Sequence, residues 1–170
     1  MSLMLVLALS LAQPKATALS PAHVELQGVY DELSQAALVS HSESDIDDFH
    51  DVFYTPQWTF VDTSSSTHTW EGVRADMVSK LQQPGPDWIK QSIQKVDETA
   101  TDLTAVVEMI VTRTIVDADG RYGTKGAAHS ITETTTFRDT WVKPGFSWQC
   151  EKRQQVTPTR QVVGPAIAGT

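Results

Sequence analysis

The sequence predicts an α+β fold: a cone-shaped roll in which a curved, mostly antiparallel sheet wraps around about three N-terminal helices. Two observations carry this. Apolar residues recur at helical spacing through the first half of the chain, whereas after Pro84-Gly85-Pro86 it turns into β-branched and threonine-rich runs separated by turn residues. Helices followed by a run of antiparallel strands place the helices on one face of a sheet. A sheet bent round them leaves a conical cavity lined from both sides.

The first element stands outside the fold. Leu3 to Ala12 (LMLVLALSLA) is an apolar run too short for a bilayer span, which takes about 20 residues. Gln13-Pro14-Lys15 breaks it, and Ala16-Thr17-Ala18 supplies an A-x-A cleavage pattern. Residues 1–18 therefore read as a signal peptide, which makes the protein exported, periplasmic or secreted. No second apolar stretch is long enough to span a membrane, so the mature chain is expected to have no membrane span.

Ser20-Pro21 opens the first helix, with Leu26, Tyr30 and Leu33 at helical spacing. Ser42-x-x-Asp45 caps a second helix whose apolar stripe is Ile46, Phe49 and Phe53, and Pro56 ends it. Trp58 to Asp62 is a short strand with Trp58, Phe60 and Asp62 on one face. After a serine- and threonine-rich loop, a third helix runs from about Trp70 to Gln82 with Val73, Met77 and Leu81 inward. Four strands follow: Trp88 to Val96, Leu103 to Val116, Ser130 to Val142 and Phe146 to Val156. Thr132, Thr134 and Thr136 alternate on one face of the third of these, a polar surface suited to water or to a partner. The stretch with Pro158, Pro165 and small residues reads as a disordered tail over 158–170. One domain, residues 19–157, remains.

Composition excludes several functions. Thirteen basic residues against 21 acidic give a net charge of −8, and no basic run exceeds Lys152-Arg153. Phosphate neutralisation needs clustered Lys and Arg, so a nucleic-acid interface is excluded. The single cysteine, Cys150, allows no disulfide framework. The five histidines (His23, His41, His50, His68 and His129) lack metal-ligand spacing, so neither a metal nor a cofactor is expected. Ser64-Ser65-Ser66 has no G-x-S-x-G context, and the Gly120 to Gly126 stretch lacks the helix that a phosphate-cradling loop requires.

Particular segments carry a resemblance. Ser44-Asp45-Ile46-Asp47 opens the second helix, Phe53 to Asp62 reads FYTPQWTFVD, and Trp70-Glu71-Gly72-Val73 opens a glycine-containing third helix. Phe137 to Trp148 (FRDTWVKPGFSW) resembles paired terminal strands with a turn glycine and a tryptophan. Over about residues 20–157 the chain resembles the nuclear transport factor 2-like superfamily, also called cystatin-like. That superfamily includes ketosteroid isomerase, scytalone dehydratase and polyketide cyclases. The chain is most similar to its small stand-alone, SnoaL-like members of unknown function.

The resemblance implies where chemistry would sit. Asp62 matches the strand position that holds the general-base aspartate in ketosteroid isomerase. That enzyme also uses a tyrosine and a protonated aspartic acid as oxyanion donors. Tyr30 lies some turns before the matching helix position, near Gln35 or Ala37, and Asp139 lies near the second donor. Chemistry like that of scytalone dehydratase would need two histidines with an aspartate, which His50 and His68 could supply. The candidate catalytic residues are thus Asp62, His50 and His68. Tyr54, Trp58, Phe60 and Trp70 are the candidate ligand-binding aromatics, because such rings fill a cone between sheet and helices. Glu108, Glu133 and Asp139 read as sheet-surface or strand-end charges, and His129 as exposed. The leading functional expectation is an exported domain holding a small apolar ligand in a conical pocket. The alternatives are a lyase or isomerase using Asp62 with His50 or His68, and a homodimeric association module.

Overall fold

The computed structural model describes residues 20–83, 85–99 and 101–167; the expected signal peptide lies outside the described residues. The Ser20 hydroxyl accepts from the His23 amide, and Pro21 enters the first turn of α1 (Pro21–Val39). Leu26, Tyr30 and Leu33 form its buried stripe. α2 (Glu43–Phe53) opens on a reciprocal capping box. Ser42 Oγ accepts from the Asp45 amide at 3.1 Å, and Asp45 Oδ2 accepts from the Ser42 amide at 2.9 Å.

The chain passes directly from α2 into β1 (Tyr54–Val61). Pro56, expected to terminate the helix, instead lies inside this strand. It falls in the irregular stretch between Tyr54 and Thr59, where no partner residue is aligned, so its missing N–H costs no ladder bond. β2 (Thr67–Thr69) folds back on β1, and α3 (Trp70–Lys80) follows. Arg74 ties α3 to α2. Its Nε and Nη2 fork onto Asp47 at 2.6 and 2.8 Å, and Nη2 also reaches Glu43 at 3.1 Å.

β3 (Trp88–Glu98), β4 (Leu103–Val116), β5 (Ala128–Val142) and β6 (Gln149–Gln155) complete an open sheet of order β2-β1-β6-β5-β4-β3. All pairings are antiparallel except β1 with β6, which is parallel. The β4–β5 register, from Leu103↔Trp141 to Val116↔Ala128, fixes which side chains face the helices. Leu103, Ala105 and Val107 point inward on β4, with Phe137, Asp139 and Trp141 beside them on β5. Thr132, Thr134 and Thr136 take the outer face as expected, and Thr132 Oγ1 lies 3.4 Å from Thr112 Oγ1.

The expected tail is the largest departure from the sequence reading. Arg160–Ile167 forms β7, antiparallel to the half of β5 that β6 leaves free. The two prolines disguise it. Pro158 lies in the link before the strand, and Pro165 occupies a bulge where Gly164 and Pro165 together oppose Ser130. The close approach at that bulge favours glycine, because a Cβ on Gly164 would stand 3.2 Å from the Ser130 carbonyl oxygen, which would have to give by a few tenths of an ångström. The strand also buries His129, expected to be exposed, whose Nδ1 lies 3.1 Å from Gly164 O. Among the described residues no helix is long and apolar enough to cross a membrane.

Candidate functional site

Helices and sheet together line an open cavity of about 510 Å³, a volume typical of small-molecule sites. α1 contributes Leu33 and Ala37, α2 contributes Phe49, and α3 contributes Val73 and Met77. These α3 positions follow helical spacing from Trp70, which also lines the cavity. Ile89, Met109, Val111 and Phe137 form the sheet side. Tyr54, Trp58, Phe60 and Trp70 all stand in the wall. Tyr54 and Trp58 are 4.8 Å apart between ring centroids, and Trp70 meets Trp58 edge-on at 6.1 Å.

A polar network forms part of the wall, where Gln91 and Arg153 line the cavity over the buried Tyr30 and Asp139. Tyr30 donates to Asp139 Oδ2 at 2.8 Å, and Trp141 Nε1 donates to Tyr30 Oη at 2.8 Å. Arg153 forks onto the same carboxylate, with Nε 3.0 Å from Oδ1 and Nη2 2.6 Å from Oδ2. Nη2 also donates to Gln91 Oε1 at 3.0 Å, and the guanidinium lies 4.7 Å above the Phe137 ring. Asp139 is fully buried and Arg153 is 8% exposed. Burial and the neighbouring Asp139 charge push the Tyr30 phenol well above its ordinary value of 10.0, so it stays protonated and donates.

Arg113 and Glu133 both line the cavity and pair at 3.1 Å. Arg113 Nε is buried and has no hydrogen-bond partner. A second cavity of about 250 Å³ adjoins the first and shares Ala37, Phe49, Met77 and Arg113 with it. Among the described residues no group of three or more His, Cys, Asp or Glu side chains is placed to hold a metal.

No protein-family model matches the chain. No curated protein matches it either. Solved structures do. A conserved protein from Planctomyces limnophilus superposes with a TM-score of 0.59 at 10% identity, covering 83% of this chain and 98% of that one. An NTF2-like protein from Cytophaga hutchinsonii gives 0.54 at 13% identity, covering 82% and 100%. A hexachlorocyclohexane dehydrochlorinase, LinA type 2, gives 0.51 at 11% identity, covering 88% and 98%. The chain has the nuclear transport factor 2-like fold.

Within this nuclear transport factor 2-like fold the candidate catalytic residues divide. Asp62 does not line the cavity; it organises the β1–β2 turn. Its Oδ1 accepts from the Ser64 amide at 2.8 Å, the Ser64 hydroxyl at 2.7 Å and the Ser66 amide at 2.9 Å. Its Oδ2 lies 3.0 Å from His68 Nε2. These bonds, Ser64 and His68 foremost, hold the carboxyl far below its ordinary value of 3.8. His68 sits opposite Phe60 in the β1–β2 register, with ring centroids 5.9 Å apart, on the rim rather than in the wall. Asp62 and His68 therefore come together, but outside the cavity lining. His50 joins neither: it is buried behind the wall, stacked on Trp70 at 4.1 Å.

The depressed Asp62 value sets a pH dependence. A carboxyl whose folded pKa lies below its unfolded one contributes stability that is complete above the unfolded value and is lost as pH falls through the folded one. Acid unfolding of Asp62→Asn, followed by tryptophan fluorescence, should therefore show a shallower loss of stability below about pH 4 than the parent. An unchanged acid limb would contradict the turn geometry.

The oxyanion-donor expectation is also corrected. Tyr30 does meet Asp139, although it lies earlier than the matching helix position, and Asp139 is an interior residue rather than a solvated strand end. Asp139 is held by Arg153, so its oxygens already accept from the guanidinium and the phenol. Glu133, expected on the sheet surface, faces the cavity, whereas Glu108 takes the outer face. Sequence reasoning passed over Arg113, Arg153 and Gln91. Their inward strand parity was the available signal, but it becomes visible only once the register is known. Cys150 is a small buried residue whose thiol is pushed up by burial, away from nucleophilic use.

Proposed function

We propose that the protein is an exported binding domain that holds one small apolar molecule in the cone. The observation that carries this reading is the cavity of about 510 Å³, lined mainly by aromatic and aliphatic side chains from both helices and sheet. Apolar concavity with a few convergent polar groups is the ordinary signature of a small-molecule site. Export rests on the apolar run Leu3 to Ala12 and the Ala16-Thr17-Ala18 pattern. Pairing of two copies through the outer sheet face that carries Thr132, Thr134 and Thr136 belongs to the same proposal.

Titration with N-phenyl-1-naphthylamine, a neutral apolar fluorophore, tests the pocket. One molecule should bind per chain, with quenching of tryptophan emission from Trp58 and Trp70. Val73→Trp, which adds a ring at the cavity wall, should weaken binding at least about tenfold. Equal binding by parent and variant would place the probe elsewhere and sink the reading.

A second reading rests on the Asp62–His68 pair at 3.0 Å. An aspartate-oriented histidine on the rim is an acid–base arrangement, and a dehydrochlorinase shares the fold. This reading requires a bound molecule to come within hydrogen-bond reach of the His68 ring. A ligand-bound structure in which it does not would end it.

A further inference from the structure

Most polar groups in the cavity wall already have a protein partner. Gln91 Oε1 accepts from Arg153, and Gln91 Nε2 donates to Ser34 Oγ at 3.3 Å. Thr135 and Thr159 pair through their hydroxyls at 2.9 Å, and Gln155 Nε2 donates to the Thr157 carbonyl at 3.0 Å. Arg113 and Glu133 pair with each other, and at 34% and 28% exposed their side chains are also open to water. Trp58 Nε1 has no partner, but it has no surface either and presents nothing to a ligand.

Two donors differ. Arg153 meets Asp139 side-on, through Nε and Nη2, so Nη1 projects from the other side of the planar guanidinium. Among the described residues neither Arg153 Nη1 nor the Tyr54 hydroxyl has a protein partner, yet neither is one of the buried polar atoms sealed from solvent. Both residues line the cavity, at 8% and 5% exposed, so the surface these two atoms keep is cavity surface. The Tyr54 ring is wedged between Phe49 at 5.6 Å and Trp58 at 4.8 Å, which fixes where its hydroxyl points. Burial pushes the phenol well above its ordinary value of 10.0, and the Arg153 charge, close enough to act on it, pulls it part of the way back. It stays protonated and able to donate. Asp139 already balances the Arg153 charge, and Glu133 balances Arg113. An anion beside Arg153 would therefore meet the Asp139 carboxylate with no spare positive charge to offset it.

We infer that the ligand is a neutral molecule bearing one strong oxygen acceptor, a ketone or ester carbonyl in class, which accepts from Arg153 Nη1 and Tyr54 Oη while its hydrocarbon part lies against Trp58 and Trp70. This deepens the apolar-molecule reading and rests on it. A pure hydrocarbon would fill the same volume but leave both donors without a partner, which costs binding energy.

Displacement of the fluorophore from the full chain by three naphthalenes separates the cases: 2-acetylnaphthalene, 2-isopropenylnaphthalene, in which CH2 replaces the carbonyl oxygen, and the anion 2-naphthoate. The ketone should bind at least as tightly as the alkene although its oxygen must leave water, and naphthoate should bind about tenfold or more weakly than the ketone. Tyr54→Phe, which removes only the hydroxyl, should lower the ratio of ketone to alkene affinity about five- to tenfold. The paired change Asp139→Leu with Arg153→Met removes the guanidinium together with its counter-charge and should lower that ratio by a similar factor, about five- to tenfold. Because both probes are read on the same variant, a general loosening of the cavity cancels in the ratio. In the unaltered protein the carbonyl stretch of bound 2-acetylnaphthalene should lie below its position in hexane, a readout that needs no variant to fold. A ratio that survives either change, a stretch at the hexane position, or naphthoate binding as tightly as the ketone overturns the acceptor assignment alone. Failure of all three compounds together with the neutral fluorophore overturns the pocket reading beneath it.

Discussion

Replacing Asp139 with leucine should destabilise the protein by about 3–5 kcal/mol, seen as a lower urea midpoint at unchanged slope. Asp139 has no exposed surface, and it is the shared acceptor for Tyr30 and for both donating nitrogens of the Arg153 fork. Its loss would leave Arg153, 8% exposed, as a buried cation with only Gln91 and the Phe137 ring for company. The pair is costly to break rather than strongly stabilising in itself, because each charge also bears a desolvation penalty. The double variant Asp139→Leu with Arg153→Met should therefore recover most of the loss. A single-variant cost below about 1 kcal/mol would mean that water reaches the pair.

Trp141→Ala should cost a similar amount, about 3–5 kcal/mol, by the same measurement. Trp141 is fully buried, meets Tyr30 edge-on at 5.2 Å, and donates to the Tyr30 hydroxyl at 2.8 Å. Truncation removes a large ring from between α1 and β5 and leaves a void that rigid neighbouring elements cannot close. Trp141→Phe keeps most of the volume and should cost less than half as much, the remainder reflecting the lost N–H donor. Equal costs for the two changes would show that the hydrogen bond, not packing, dominates at this position.

Local signals carried the fold. Ser20-Pro21 and the Ser42–Asp45 box act within a few residues, so the helix starts could be read without tertiary information. The β4 and β5 runs were equally plain, because β-branched composition and turn residues mark strands locally. What escaped was decided by the partner strand. Pro56 and Pro165 argue against strands in isolation, yet each sits where the ladder is irregular and no N–H is required. The apparent tail thus became β7, because half of β5 offered it an unpaired edge.

The site was legible in its apolar half only. Four aromatics close together in sequence, Tyr54 to Trp70, line the cavity because β1 and α3 are consecutive across a short hairpin. The polar half joins residues far apart: Tyr30 and Asp139 are separated by 109 positions, and Asp139 and Arg153 by 14. No local pattern announces such a triad, and a charged residue in a strand reads by default as solvent-facing. Asp62 failed in the opposite sense. Its fate was local, since Ser64 and Ser66 were near enough to capture its carboxylate.

The central claim, that an exported chain carries a small molecule in the cone, is met most directly by native mass spectrometry of the protein purified from the exported fraction of its own host. The account predicts a polypeptide mass beginning at Leu19, an adduct of one small molecule per chain, and loss of that adduct in Val73→Trp. Chains that retain residues 1–18, carry no adduct and are indifferent to Val73→Trp would contradict it.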